Sequence, residues 1–267
     1  MRVGRPVAET RGKNLMQHQI KGSVLQVLEV ELDPGESVLS EASEFSWMTD
    51  SVQMTTDMGA GAGGKGLLGA VKRVAGGGTF LFNTFTAEGA PGMVAFAAKL
   101  PGTIFPIELN QEYLAHRHGF LAGTPGVEIS VALQQSFRGG IFGGEGFLLQ
   151  KIGGSGQAWI ELSGEVMVYD LEPGQTMRVH PGHVGLFQSS VSFQVIRVPG
   201  IANRYMGADG HHWVVLTGPG RVWLQSMPIP ILAGAMSPYL GGDSHPAAAG
   251  AAGGAVASAL GNILGGR

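Results

Sequence analysis

Histidines and carboxylates are the residues of this chain that could do chemistry, because it has no cysteine at all. Thiolate catalysis, disulfides and cysteine metal sites are thereby excluded. His116-Arg-His118 has the alternating spacing that puts two imidazoles on one strand face, as in cupin metal sites. Such a site also wants a glutamate about four residues later and a distant histidine. Leu121, Ala122 and Gly123 occupy that stretch, and Glu128 falls too far along. His180-Pro-Gly-His183 has a turn between its histidines, and His211-His212 point to opposite faces of a strand. We read these as surface or hydrogen-bonded histidines and assign no metal ligand. A cupin-like metal-dependent enzyme using His116 and His118 is the alternative.

Glu145, inside Gly143-Gly-Glu-Gly146, is the most conspicuous single carboxylate. Glycines on both sides permit a bulge or a close backbone approach, which places it at a boundary between units or subunits. No second acid has the spacing of a general acid/base pair, so a hydrogen bond fixing the strand entrance is the expected role. Gly153-Gly-Ser155-Gly156 reads as a hairpin turn, not a nucleophile elbow. The run from Gly59 to Gly66, with Lys65, nearly matches a phosphate-binding loop, but Gly66 replaces the Ser or Thr that holds magnesium. With 45 glycines in 267 residues, the dinucleotide-like Gly61-x-Gly63-x-x-Gly66 arises from composition alone. No catalytic residue and no cofactor are assigned.

The elements that must position these residues repeat. Phe80–Pro101, Phe147–Ser163 and Trp213–Pro228 are each an apolar strand opened by an aromatic, a glycine turn and a second apolar strand. Gly92, Gly156 and Gly220 fall at equal intervals of 64, and Trp159 and Trp223 fall in register. The two tryptophans are candidates for a ligand platform, with packing as the expected role. Leu32-Asp-Pro-Gly35, Leu100-Pro-Gly102 and Leu171-Glu-Pro-Gly174 form a second recurring landmark upstream. Short strands with turns every 8–12 residues or so predict an all-β sandwich or barrel. The fixed period predicts three tandem repeats of about 65 residues with pseudo-threefold symmetry. Their bounds are 16–99, 100–163 and 164–232, with a disordered extension at 1–15 and a flexible Gly/Ala-rich tail at 233–267.

Four stretches, Met16–Met48, Gly63–Ala87, Gly139–Val166 and Leu216–Ser226, resemble the altered-inheritance-of-mitochondria protein 24 family, a bacterial and mitochondrial group of unknown function. Gly-Gly-Glu-Gly-Phe at 143–147 and Gly-Pro-Gly at 218–220 carry the resemblance in combination. It implies a fold similar to the tryptophan RNA-binding attenuator protein, a short double-stranded β-helix that tends to form rings. It implies no catalytic residues. Two departures stand out: Gly76-Gly-Gly78 replaces a glutamate common in the family, and residues 1–15 precede the usual start.

A hydrophobic content of 44% with 14% charged residues is apolar for a soluble monomer and predicts a homo-oligomer, a trimer or larger ring. The function expected is that of a non-enzymatic scaffold or binding protein in the cytoplasm. The net charge of -3 argues against nucleic acid, although ligand or RNA binding in the manner of the attenuator protein is a further alternative. No secretory leader and no membrane-spanning helix are expected. The glycine-rich loop 59–78 holds one helical candidate, Leu67–Val74, and the densest basic cluster: Lys65, Lys72 and Arg73 beside Leu67 and Leu68. It is the candidate contact for a protein partner or a peripheral membrane surface, with packing on its own subunit as part of an interface as the expected role.

Overall fold

The computed structural model describes residues 2–4, 16–57, 82–135, 147–197, 212–236 and 239, and they are all-β apart from one short helix. Nearest the N-terminus come β1 (Arg2–Gly4), β2 (His18–Lys21), β3 (Val27–Leu32), β4 (Ser37–Glu41), β5 (Trp47–Met48), β6 (Val52–Asp57), β7 (Phe82–Ala87) and β8 (Gly92–Ala97). The middle contributes β9 (Gly102–Glu108), β10 (Tyr113–His116), β11 (Phe120–Gly123), β12 (Val127–Gln135), β13 (Phe147–Gly154) and β14 (Gln157–Ser163). The last are β15 (Val166–Leu171), β16 (Thr176–Val179), β17 (Val184–Gln188), β18 (Ser192–Arg197), β19 (His212–Thr217) and β20 (Gly220–Gln225), followed by helix α1 (Ile229–Met236).

Alternation in sequence becomes alternation in burial. In β3, Leu28, Val30 and Leu32 are buried while Glu31 faces out. β14 is different. All seven of its residues are buried, because β9 and β11 flank it in the sheet and side chains cover both its faces.

Pairing is antiparallel throughout. β8 lies between β3 and β5, β14 between β9 and β11, and β20 between β15 and β17. β7 lies between β4 and β6, β13 between β10 and β12, and β19 between β16 and β18. Two further pairings join these sets: β4 with β11 and β10 with β17. Among the described residues β5 pairs only with β8, and β16 only with β19. The connecting segments also bond to one another. Gly102 N–H donates to Val24 O at 2.9 Å, Gly164 N–H to Pro101 O at 2.7 Å, and Met227 N–H to Ser163 O at 3.1 Å. Three apolar clusters fill the interior, centred on Phe120, Ile152 and Leu186, on Phe85, Phe96 and Trp159, and on Leu149, Phe187 and Leu216.

Two expectations are corrected, and a third falls on residues that are not described. Leu32 and Leu171 lie opposite Gly92 and Gly220, but the residue bonded to Gly156 is Leu109, whose N–H reaches the Gly156 carbonyl at 2.9 Å. The middle counterpart of the two Leu-x-Pro-Gly turns is therefore the segment after Leu109, and Leu100-Pro-Gly102 instead leads into β9. Arg2–Gly4, expected to be disordered, pairs with Val168–Asp170 of β15. The segment Ile229–Met236 is helical, whereas the helix expected at 67–74 lies outside the described residues.

Candidate functional site

Three chain corners put a titratable side chain at the same place in the pairing scheme. β4 ends at Glu41 opposite Phe82, and β10 ends at His116 opposite Leu149. β16 ends at Val179 opposite Val214, which makes His180 the next residue. Each corner closes by one backbone bond three residues on: Glu44 N–H to Glu41 O at 3.1 Å, Gly119 N–H to His116 O at 2.8 Å, and His183 N–H to His180 O at 2.9 Å.

The first two corners converge on a buried polar cluster. Glu44 is 5% exposed and pairs with the Lys99 ammonium; Glu161, at 6%, accepts from the Lys99 backbone N–H at 3.0 Å. Gln150, fully buried, donates its amide N–H to Glu41 at 2.5 Å. Burial, followed by the nearby Glu44 carboxylate, pushes Glu161 up to about 7 against the opposing pull of Lys99 and the Leu100 N–H. Glu41 is also raised to about 7, first by burial and then by Glu44, while Gln150, Lys99 and Arg117 oppose the shift. Burial and then His118 push His116 down to about 3. His118 is lowered first by burial and then by the nearby Lys99 and Arg117 charges.

The third corner solves the same problem without charge. Gln225 stands two residues beyond Trp223 as Glu161 stands two beyond Trp159. Its carbonyl oxygen accepts from Ser163 N–H at 3.1 Å, and its amide donates to Gly182 O at 3.0 Å. His183 Nδ1 donates to the Gln225 backbone carbonyl at 2.8 Å. A carboxamide and a carboxylate thus do one job, accepting the backbone N–H of the preceding connection. That work is structural.

The histidine pair does not form the arrangement expected from its spacing. His116 ends β10, and the chain turns at Arg117 and His118, so the two rings stand edge to face at 6.5 Å in place of sharing a strand face. Among the described residues no group of three or more His, Asp or Glu could hold a metal ion. His180 and His183 sit 5.7 Å apart across a 3-10 turn. Trp159 is fully buried against His18 at 5.2 Å. Trp223, at 4% exposure, packs on Phe105, Tyr113 and the Arg221 guanidinium. Neither indole offers a face to a ligand. Lys65, Leu67, Leu68, Lys72, Arg73 and Glu145 lie outside the described residues, as does His211. An open polar groove of about 800 Å³, edged by Glu31, Asp33 and Glu36, runs beside the β3–β4 turn.

Sequence reasoning missed Glu41, Glu44 and Glu161. The signal available for Glu161 was a lone carboxylate within the apolar run Trp159–Leu162, matched by Gln225 after Trp223.

Among the described residues no helix is long and apolar enough to cross a membrane. The chain is 26% identical over 239 residues to an uncharacterised protein of Streptococcus pyogenes serotype M6, covering 87% of this chain and 94% of that one. The crystal structure of a Streptococcus pyogenes protein matches with a TM-score of 0.66 at 24% identity, over 84% of this chain and 100% of that chain. That likeness concerns the fold. A family model described as mitochondrial biogenesis AIM24 matches residues 18–227, and the chain belongs to that family.

Proposed function

We propose that the protein is a non-enzymatic scaffold built from three tandem repeats of a short double-stranded β-helix, and that its copies join edge to edge into a homo-oligomer. One contrast in burial carries this reading. The pairing registers align Trp47 of β5 with Ala122 of β11 and Leu186 of β17, and Phe45, two residues before Trp47, corresponds by position to Phe120 and Val184. They likewise align Trp213 of β19 with Phe82 of β7 and Leu149 of β13. β11 and β17 receive β4 and β10 on their outer edges, and Phe82, Phe120, Ala122, Leu149, Val184 and Leu186 are all buried. Among the described residues β5 receives no strand, and Phe45, Trp47 and Trp213 are 36%, 45% and 37% exposed.

The strand that β5 lacks has a free counterpart. β16 stands where β4 and β10 stand in the first two repeats, and among the described residues its outer edge is unpaired. A donor edge at one end and an acceptor edge at the other favour head-to-tail addition, which closes into a ring when the rotation allows. On this reading the expected pseudo-threefold relation describes three units of an arc, completed as a trimer or larger ring.

The buried cluster supports a structural role over an enzymatic one, since Glu161 has a carboxamide doing the same work in the third repeat. The cytoplasm remains the expected location, and Lys65, Leu67, Leu68, Lys72, Arg73 and Glu145 remain candidate contacts for a protein partner or membrane surface. Trp47→Lys tests the edge, because it puts a charge where β16 would dock. We expect light scattering to return a single 27.7 kDa chain with the far-ultraviolet spectrum of the native protein. A variant that assembles like the native protein overturns β5 as the interface.

A further inference from the structure

Among the described residues the connecting segments form a ladder that stops at both ends. Val24 accepts from Gly102, Pro101 from Gly164, and Ser163 from Met227, so each connection rests on the one before it. The first rung begins at Val24 and Leu25, apolar side chains that are 61% and 57% exposed. The last rung ends at Met227 and Pro228, with Pro228 lying against Gly182 of the third corner. Where the first and second repeats continue into the first strand of the next, the third continues into α1. This helix, Ile-Pro-Ile-Leu-Ala-Gly-Ala-Met, is apolar all round and has no buried residue. Ile229, Ile231 and Met236 are 39%, 46% and 46% exposed.

A helix without a polar face needs cover. We infer that α1 is a latch that docks on Val24 and Leu25 of a second copy of this chain. The inference rests on the head-to-tail reading, which brings the Met227 end of one copy to the Val24 start of the next. The two exposed apolar patches then meet at the same junction as β16 and β5. They are the two ends of one ladder, continued between molecules.

The cysteine-free chain permits a direct test. Leu25→Cys and Ile231→Cys are introduced together, the full-length protein is oxidised, and the products are separated under non-reducing denaturing conditions. A ladder at multiples of the 27.7 kDa chain, absent from a mixture with reductant, is expected. Each single variant lacks the facing cysteine and should stay uncrosslinked. A fast-migrating internally crosslinked monomer overturns the inference, because the chain would then close on itself. An uncrosslinked product from a protein that light scattering shows to be oligomeric overturns the latch and leaves the edge pairing standing. A native protein that is monomeric by light scattering overturns both. As an independent check, Ile231→Lys should weaken assembly at least tenfold. If Ile231→Lys leaves assembly intact but abolishes co-sedimentation with anionic vesicles, α1 faces a membrane and the inference fails.

Discussion

Glu161 shows what a buried charge costs this molecule. Its folded-state pKa, about 7 against an ordinary 4.5, means that the folded chain binds more protons than the unfolded chain between those pH values. Stability therefore falls as pH rises through that window, and Glu41, also raised to about 7, acts in the same direction. His116 opposes them. Lowered from 6.5 to about 3, it makes the unfolded chain the better proton binder between those values, so its contribution to stability rises with pH there. Glu161→Gln copies the residue already present at 225, which accepts the matching backbone N–H. Urea unfolding should find it more stable than the native protein by roughly 2–3 kcal/mol at pH 8 and unchanged below pH 4.5. Equal destabilisation at both pH values would mean that ionised Glu161 is needed. His116→Gln should flatten the acid limb of the stability profile between pH 3 and 6.5, and an unaltered limb would contradict the burial of that ring.

At the level of elements, most strands were legible because valines, isoleucines and aromatics alternate between turn residues. Those that escaped have physical reasons. Ser37–Glu41 carries two serines and a glutamate, although Ser40 is fully buried. Tyr113–His116 and Phe120–Gly123 are four residues each, separated only by a tight turn, and Phe120–Gly123 is buried throughout and so shows no alternation. That missed turn is also why His116 and His118 were expected on one strand face. The carboxylate cluster was illegible for a related reason: its members come from β4, the corner after it, and β14, which only the β4–β11 pairing brings together. The connections themselves are tightly specified. A Cβ at Gly102 would lie 2.2 Å from the Leu162 carbonyl oxygen, a backbone atom that cannot swing away. Gly102→Ala should therefore cost about 2–3 kcal/mol in denaturant unfolding. A loss below about 0.5 kcal/mol would show that the contact between Gly102 and Leu162 has slack.

The whole molecule is short of charge and long on edges. Seventeen lysines and arginines in 267 residues, with a net charge of -3, leave little to neutralise a phosphate backbone. Filter retention of mixed RNA should accordingly stay at background at micromolar protein, and salt-sensitive retention would favour the RNA-binding alternative. The proposed self-association would use this surface: among the described residues β5 and β16 each have one unpaired edge, and three aromatics are exposed where their counterparts are buried. The molar mass of the native protein in solution tests this most directly. Light scattering across micromolar concentrations should return an integral multiple of 27.7 kDa, three or more, that persists on dilution. A mass of one chain at every concentration would contradict the account.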